Sequence, residues 1–584
     1  MNKIILSLFS LLLCLPLCAA DFTVDGLHFL VREGAADEVE ITYQKASDDN
    51  YEDLNIFTLP ELVTFEERTY RVTAIGKAAF AYAKNLSAIS IPVSVTTIEP
   101  HAFYGCSNLK SIKFSKKTSS IGKMAFAYSA LEDVVLPDGI TTLGDMAFAY
   151  CEKLKSVSLP NSISKFGNNV FKDCTALDNV RFAEGLKVIG DYAFSGCKSI
   201  KTIVIPNSIK RPNVGAFANC EQLEDVTLSA NMEDLGVGVF EGCTMLSKIH
   251  IPAQSKYLKS TPDGVLLSAD GKSLFLYPKG RHDAEYTLPT NIEAIGANAF
   301  GANQYITKVI VPSNVKEIGI EAFADCKNLK SVSMAEGVQI IREGAFANCS
   351  QLNGITIPQS VWKVEKNAFK GTGDYNNKKN WKSRILYIGD VMIGKADDQQ
   401  KSGTMNVRPG TRLIADRAME GSFLAELILP KGLEMIGERA FADCARLLTI
   451  TMSPTVVSIA PHAFDSTGYF NTDKNWKNGV LYLDKVLLRV DPEVEGKIKL
   501  KNVTLIADEA FANCKDVDEI KLNDATMYIG KRAFLNCSSL EIINVPKKIV
   551  SISEDAFEGV ENSDIQSFFE TAKQTNPRLH VTIK

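Results

Sequence analysis

The sequence predicts an α/β solenoid: a curved superhelix of about 18 repeats, with a parallel β-sheet on its concave face, short helical turns and loops on its convex face, and three β-hairpin islands. Three observations predict this fold. An aromatic residue recurs about every 23 residues, an apolar strand pattern recurs with it, and eleven cysteines share one position of the repeat. A unit this short cannot bury its own apolar side chains, so successive units have to stack.

The recurring aromatic residue sets the number of repeats. It follows a small residue in almost every unit, and one methionine replaces it. The composite unit reads C-x-x-L-x-x-I-x-I-P-x-x-V-x-x-I-G-x-x-A-F. Its I-x-I part alternates with period 2, which is typical of a strand with one buried face, and the proline ends that strand. The 18 positions are Phe80, Phe103, Phe126, Phe148, Phe171, Phe194, Phe217, Phe240, Phe300, Phe323, Phe346, Phe369, Met419, Phe441, Phe464, Phe511, Phe534 and Phe557.

The position two residues after the repeat aromatic predicts a left-handed backbone. It holds Gly, Asp or Asn in 13 of the 18 units, and these residues tolerate positive φ best. We expect a short helical turn around Ala-Phe to end there. Three tyrosines, Tyr82, Tyr128 and Tyr150, break the pattern. They are either local variation or an exposed aromatic patch, and on the second interpretation they are candidate partner-binding residues.

Three islands interrupt the period, at about 253–285, 371–404 and 467–496. Each contains turn residues between alternating apolar residues, which predicts a β-hairpin. Two islands share the sequence Lys-Asn-Trp-Lys and so place Trp381 and Trp476 at equivalent points. Insertions in a repeat array commonly protrude and bind partners. Trp381 and Trp476 are therefore candidate partner-binding residues, and the alternative is that each pins its hairpin to the coil beneath.

The remaining segments complete the predicted domain organisation. Residues 1–20 combine Lys3, an apolar run and a small-residue end, which is typical of a secretory signal peptide, and lipidation at Cys18 is the alternative. Residues 21–70 lack the repeat and predict an N-terminal β cap. The solenoid covers 71–560, and 561–584 predicts a C-terminal cap, since an open solenoid end has to be covered.

The thirteen cysteines follow the repeat and not a disulfide framework. Cys14 and Cys18 lie in the signal segment, and each of the other eleven falls three residues after a repeat Phe or Met. The same position accepts Ala, Ser, Thr, Asn or Val in the other units. A position with this tolerance needs a small side chain, so we predict free, buried thiols.

Composition and motifs exclude several functional classes. The formal charge is only −5, without the basic excess of a nucleic-acid-binding protein. The six histidines are scattered, and no metal, phosphate-loop or hydrolase motif is present. We expect no catalytic residue, no cofactor, no metal and no transmembrane segment.

The 23-residue unit resembles the BspA-like, or Treponema-type, leucine-rich repeat family, on the strength of its I-P, I-G, A-F and cysteine positions over residues 70–560. The resemblance implies a leucine-rich-repeat solenoid. It also implies an exported or surface protein of bacteria, many of them Bacteroidetes, with adhesion to host matrix proteins in some members. No binding residue of the family can be carried over to this sequence.

The sequence therefore leaves three hypotheses for function. The first is an exported, non-enzymatic binding or adhesion protein that engages a protein partner, possibly host extracellular matrix, through the concave repeat surface and the hairpin islands. The second is carbohydrate binding at the tryptophans and tyrosines, and the third is a structural spacer of the cell surface. The outward residues of the predicted concave sheet are small and mixed, which fits a protein interface better than a sugar or phosphate site. We expect a monomer that is secreted or held at the cell surface, with the periplasm or a lipid anchor as further possibilities.

Overall fold

The structure of the chain is a computed structural model that describes residues 20–43, 51, 58–396, 403–561 and 564–582. The signal peptide predicted for residues 1–20 lies outside the described residues, apart from Ala20. The chain divides into two compact units, Met1–Arg281 and His282–Lys584. In the part of the chain that is described, no helix has the length and apolar character needed to cross a membrane.

The segment before the first repeat forms a small sheet that leads into the solenoid. Its first strands pair antiparallel, and its last strand pairs in parallel with the first coil at Thr97–Ile98. The rings of Phe22 and Phe65 stack 4.6 Å apart inside it. An aromatic contact between its two ends ties the segment together. Its strands are Phe22–Val24, Leu27–Val31, Glu38–Thr42, Leu62–Phe65 and Arg68–Ile75.

The I-x-I part of the repeat forms the first column of parallel strands. Most neighbouring coils pair without a shift, so Asp133 lies beside Ser156 and Ser156 beside Asn179. The pairings of the strands that begin at Gly403 and Gly496 each contain one register shift. In the first unit the strands are Ala88–Ser90, Ser111–Lys113, Asp133–Val135, Ser156–Leu159, Asn179–Phe182, Thr202–Val204, Asp225–Thr227 and Lys248–His250. In the second unit they are Glu285–Thr287, Lys308–Val311, Ser331–Met334, Gly403–Asn406, Leu424–Ile428, Thr449–Thr451, Gly496–Lys499, Val517–Lys521 and Ile542–Ile543.

The isoleucine that precedes the repeat glycine forms a second column of short parallel strands. Ile98, Ile121 and Leu143 are paired in register and fully buried. In the first unit the strands are Thr97–Ile98, Ser120–Ile121, Thr142–Leu143 and Lys165–Phe166. In the second unit they are Ala294–Ile295, Glu317–Ile318, Ile340–Ile341, Lys363–Val364, Leu413–Ile414, Met435–Ile436, Ser458–Ile459, Leu505–Ile506, Tyr528–Ile529 and Ser551–Ser553.

The Ala-Phe segment of each coil consists of consecutive hydrogen-bonded turns. The amide of Phe80 donates to the carbonyl of Ala102 at 2.8 Å, so these turns bond to the following coil. The strands bond in the opposite sense, since the amide of Gly122 donates to the preceding coil at Ile98, also at 2.8 Å. The residue two positions after the repeat aromatic has positive φ in all 18 coils, between 55° and 77°. The predicted left-handed position is therefore confirmed.

The repeat phenylalanines form the centre of the core. In the first unit Phe103, Phe126 and Phe148 have no exposed surface, and within both units neighbouring rings of the column lie 4.7–6.1 Å apart. This spacing is close to that of paired strands, so each ring packs on the ring of the next coil. Burying an aromatic side chain of this size stabilises the fold by about 1.5–3 kcal/mol before its ordering entropy is subtracted.

The three islands form antiparallel strands, as predicted. In the second and third islands a short strand beginning at the tryptophan pairs with the hairpin, and the last hairpin strand pairs in parallel with the next coil. The island strands are Leu258–Ser260, Leu266–Ser268 and Ser273–Leu276, then Trp381–Lys382, Ile385–Ile388 and Val391–Lys395, then Trp476–Lys477, Val480–Leu483 and Val486–Val490.

Few helices are present among the described residues. The second island contains the α-helix Gly373–Asn376, which is capped by the Thr372 side chain, and the 3-10 helix Lys378–Asn380, and the third contains the 3-10 helix Asp473–Asn475. The α-helix Asp564–Thr575 follows the last coil, and the strand His580–Thr582 pairs with Ser551–Ser553. Phe568 and Ala572 of this helix are buried. The last coil is therefore covered by a helix and a strand.

Candidate binding surfaces

Four tyrosines on the turns of the first four coils form a continuous ladder, the tyrosine ladder: Tyr82, Tyr104, Tyr128 and Tyr150. The Tyr82 and Tyr104 rings meet edge to face at 5.4 Å, and the Tyr104 and Tyr128 rings do so at 5.5 Å. The Tyr128 and Tyr150 rings are stacked at 4.6 Å with an interplanar angle of 9°. The sequence-predicted residues Tyr82, Tyr128 and Tyr150 thus belong to one surface.

Three of these tyrosines occupy a backbone conformation that does not suit them. The φ angles of Tyr82, Tyr128 and Tyr150 are 60°, 62° and 61°. A left-handed backbone costs a residue with a side chain about 1–2 kcal/mol, whereas glycine adopts it freely and Asn or Asp tolerate it better. Most other coils use Gly, Asn or Asp at this position. The tyrosines are therefore less favourable for the fold than the residues that replace them elsewhere.

Tyr104 was not a candidate in the sequence because it lies one position after Phe103, not two. The coil of Phe103 carries Gly105 at the left-handed position, and a Cβ added there would lie 2.8 Å from the Tyr82 ring. Gly105 thus leaves room for Tyr82, and Tyr104 supplies the missing ring from the neighbouring position. The sequence signal that would have identified Tyr104 is that four consecutive coils each contain a tyrosine shortly after the repeat phenylalanine, whatever its exact position.

Burial and neighbouring charges shift the titration of this surface. Burial, together with the adjacent Tyr82 and Tyr128, raises the pKa of Tyr104. The His101 ring lies 5.8 Å from the Tyr104 ring, and burial together with Lys77 and Lys123 lowers the pKa of His101. Burial therefore disfavours the charged forms of both Tyr104 and His101.

The two candidate tryptophans are engaged within their own islands. The Trp381 indole donates to the Tyr375 carbonyl at 2.6 Å, and its ring meets the Tyr375 ring edge to face at 5.2 Å. Trp476 repeats the arrangement with Phe470, at 2.7 Å and 5.3 Å. Both side chains are half-buried. This geometry holds each indole against a residue of its own island, and it leaves no indole N–H for a ligand.

The solvent side of the first strand column has the mixed character expected from the sequence. Val135, Ser158 and Arg181 lie side by side in register, and so do Val204, Thr227 and His250. Val135 is 70% exposed and Val204 65% exposed. Such a face offers scattered apolar and polar contacts and no row of aromatic rings or cations.

A hydrogen-bonded charged cluster lies beside a small cavity in the second unit. His462 Nδ1 is 2.6 Å from Asp465 Oδ2, and Arg489 donates to the same carboxylate oxygen at 3.1 Å. The eleven residues that line the cavity include no Ser, Thr or Cys. The pair therefore has no hydroxyl or thiol nucleophile beside it. Among the described residues, no group of three or more His, Cys, Asp or Glu side chains is placed to hold a metal ion.

Comparison with known families identifies the repeat. The model of the family described as BspA type leucine rich repeat region (6 copies) matches residues 73–182, 147–261, 283–391, 400–478 and 496–577. These matches cover well over half of the chain. No match was found among curated proteins.

Several solved structures are similar to the chain. A leucine-rich repeat protein from Bacteroides ovatus is 20% identical, with 87% of this chain and 99% of that chain covered and a TM-score of 0.43. A leucine rich cell surface protein from Faecalibacterium prausnitzii is 23% identical, with 74% and 93% covered and a TM-score of 0.39. The pneumococcal vaccine antigen PcpA is 17% identical, with 90% and 100% covered and a TM-score of 0.32. The family match, and not these similarities, carries the assignment.

Proposed function

Since the chain belongs to the BspA-type leucine-rich repeat family, we propose that it is an exported, non-enzymatic binding protein that engages a protein partner. The observation that carries the proposal is the tyrosine ladder. Three of its four members occupy left-handed positions where the other coils place smaller residues. Backbone strain of this kind is common at functional sites, where a loss of folding stability is offset by a gain in binding.

The geometry of the ladder favours a protein over a carbohydrate. Sugar binding needs an aromatic ring face open to the ligand, whereas one face of the Tyr128 ring and one face of the Tyr150 ring cover each other. The neighbouring rings meet edge to face. What a ladder of this kind offers is ring edges and hydroxyls, and tyrosine with these features is enriched in protein interfaces. The indole N–H groups of Trp381 and Trp476 are hydrogen-bonded within their islands and are not available to a sugar hydroxyl, which also weakens the carbohydrate hypothesis.

The surface that makes the central contact, in this proposal, is the tyrosine ladder and not the strand face. The strand face shows isolated exposed residues such as Val135 and Val204, between polar neighbours. Interface energy concentrates in a few clustered aromatic residues, and scattered contacts around them contribute little. The strand face and the hairpin islands then serve as the periphery of the interface.

The test is a binding screen with the chain from residue 21 onward, against arrays of matrix proteins and of glycans. The repeat supplies the variant, because Asn occupies the left-handed position in other coils and Ala follows Phe in several. Tyr82→Asn, Tyr128→Asn and Tyr150→Asn, combined with Tyr104→Ala, should keep the fold and reduce affinity for the protein ligand at least tenfold. Asp325→Asn, at the same repeat position in the second unit, is the matched control and should change nothing.

Three outcomes would contradict the proposal. Saturable binding to glycans alone would support the carbohydrate hypothesis. Absence of saturable binding on both arrays would support the spacer hypothesis. A protein ligand whose affinity is unchanged by the four tyrosine substitutions would place the interface elsewhere.

A further inference from the structure

The first three of the four coils that carry the tyrosine ladder carry a concentrated positive charge, whereas the fourth, residues 132–150, contains four acidic residues and no basic residue. Residues 71–131 contain eight basic residues and one acidic residue, Glu99, a net formal charge of +7 in a chain whose total is −5. Seven of the eight are exposed, and Lys77 is half-buried. The basic residues are Arg71, Lys77, Lys84, Lys110, Lys113, Lys116, Lys117 and Lys123. The charge is local to this end of the repeat array.

Elsewhere in the first unit, some exposed lysines are paired with acids of a neighbouring coil. Lys155 lies 3.3 Å from Glu132, and Lys210 lies 3.0 Å from Glu233, each pair separated by one repeat. Among the described residues, no such ion pair involves Lys77 or Lys123 at the ladder, nor Lys110, Lys113, Lys116 or Lys117. Within the described part of the chain, the charges of these six lysines are therefore not neutralised by ion pairs across coils.

Two of these lysines border the ladder. Lys77 and Lys123 hold the same repeat position, three residues before Phe80 and Phe126. Both are close enough to His101 to lower the pKa of its imidazole, and the His101 ring touches the Tyr104 ring. The His101 amide donates to the Lys123 carbonyl at 2.9 Å and the Ala78 amide to the Pro100 carbonyl at 3.1 Å, so the coils of Lys77 and Lys123 flank the coil of His101 and Tyr104. The two lysines thus lie on coils beside the aromatic surface, and charged groups commonly surround protein interfaces.

We propose that the tyrosine ladder docks an acidic segment of a protein, whose apolar or aromatic side chains meet the tyrosine edges and whose carboxylates meet the surrounding lysines. This inference rests on the proposed function and narrows the class of partner. Charge complementarity selects the sign of the partner and speeds its association. A sulfated polysaccharide would match the charge and leave the aromatic ladder without a role, and nucleic-acid bases would need ring faces that the stacked and edge-to-face contacts of the ladder partly cover.

The test measures binding of a fluorescent synthetic peptide of repeating Glu-Glu-Tyr by the chain from residue 21 onward. The double variant Lys77→Glu/Lys123→Glu should weaken the affinity about tenfold or more, and raising the salt concentration should weaken wild-type binding. The matched control is Lys366→Glu/Lys370→Glu, which makes the same charge change beside Phe369 in the second unit and should leave the affinity unchanged. The tyrosine variant described above should also weaken the affinity, which a purely ionic contact would not show.

The outcomes separate this inference from the proposed function. A protein ligand from the array that depends on the tyrosines and is unaffected by Lys77→Glu/Lys123→Glu would overturn the acidic partner and keep the binding function. Heparin binding that depends on these lysines, with no binding of the peptide, would assign the charge to a sulfated polysaccharide. Equal affinity for the acidic peptide and for a Lys-Lys-Tyr peptide would also overturn the inference.

Discussion

At the scale of single residues, the cysteines three positions after the repeat phenylalanines form a column, the cysteine column, which shows what side chain this position requires. All eleven described cysteines are free and buried, as the sequence predicted. Ten of the thiols donate to the carbonyl of the repeat Phe or Met of a preceding coil, for example Cys197 to Phe171 at 3.2 Å. Ser129 has its hydroxyl 3.2 Å from the Cys151 thiol. The position therefore selects a small side chain, and a hydroxyl replaces the thiol readily.

The first prediction concerns thiol reactivity. Burial raises the pKa of Cys106 to about 12 and that of Cys444 to about 11, and thiolate is the reactive form. A chain from residue 21 onward should show no thiols reactive toward a disulfide reagent at pH 8 in the native state, and all eleven after unfolding in guanidinium. Fewer than eleven in the unfolded, unreduced protein would reveal disulfides and contradict the free column.

The second prediction concerns Asp508, which is buried beside the third island. Its Oδ1 accepts from the Lys531 amide at 2.8 Å, and burial raises its pKa to about 7. Lys531 opposes this shift, and Asp555 and Glu509 add to it. The folded state thus holds a proton that the unfolded chain releases near pH 4. The stability contributed by this group is fully present below about pH 4 and is lost as pH rises toward about 7.

Asp508→Asn keeps the acceptor oxygen and removes the charge. It should raise the free energy of unfolding of the second unit by on the order of 4 kcal/mol at pH 8, with little effect at pH 4, as measured by denaturant unfolding. Asp416→Asn is the informative contrast, because the Asp416 carboxylate lies 3.4 Å from the Lys363 ammonium and loses that partner on substitution. A gain for Asp508→Asn that is equal at both pH values would contradict the titration argument.

At the scale of elements, the islands and the turns differ in how far the sequence could predict them. The hairpins were predictable because turn residues between alternating apolar residues act locally. The Ala-Phe segment forms turns and no continuous helix because left-handed residues lie on both sides of it, Ala78 and Tyr82 in the first coil. Its amides then bond to the next coil, and a single repeat unit contains no information on that partner.

The third prediction tests the pinning of the islands. Trp476→Phe keeps an aromatic ring and removes the indole donor that bonds the Phe470 carbonyl, a loss of about 1 kcal/mol. Hydrogen exchange should rise in residues 470–490 and stay unchanged in the second island. Trp381→Phe is the matched variant, and its effect should be confined to residues 375–395. Loss of partner binding by either variant, without faster exchange, would instead assign the tryptophan to the interface.

At the scale of the whole molecule, the repeat period predicts contacts between neighbouring coils but not contacts between residues far apart in sequence. The phenylalanine column, the cysteine column and the register of neighbouring coils all follow from the 23-residue period. The approach of Lys531 to Trp362 does not: the ammonium lies 3.9 Å from the indole centroid, although the two residues are far apart in sequence. The two residues belong to different coils of the second unit, and the pattern of a single repeat does not encode which distant coils approach each other.

The fourth prediction uses the nearest-neighbour character of the array. Deleting residues 562–584 removes the buried Phe568 and the strand that pairs with Ser551–Ser553, and so exposes Phe557. Each coil contacts mainly its neighbours, so faster hydrogen exchange should be confined to the last two or three coils. Exchange in the first unit should be unchanged. Faster exchange throughout the second unit would show that the array unfolds as one cooperative block.

The uniform left-handed position also separates the scaffold from the surface it displays. Glycine, asparagine, aspartate, alanine, serine and tyrosine all occupy it with nearly the same φ, so the backbone does not change with the side chain. One residue per coil can therefore be exchanged without a change of backbone, provided that the side chain at the same position of the preceding coil leaves room for its Cβ, as Tyr82 does not at Gly105. Substitutions at this position, in evolution or by design, could therefore change the binding specificity one coil at a time while the phenylalanine column beneath remains intact.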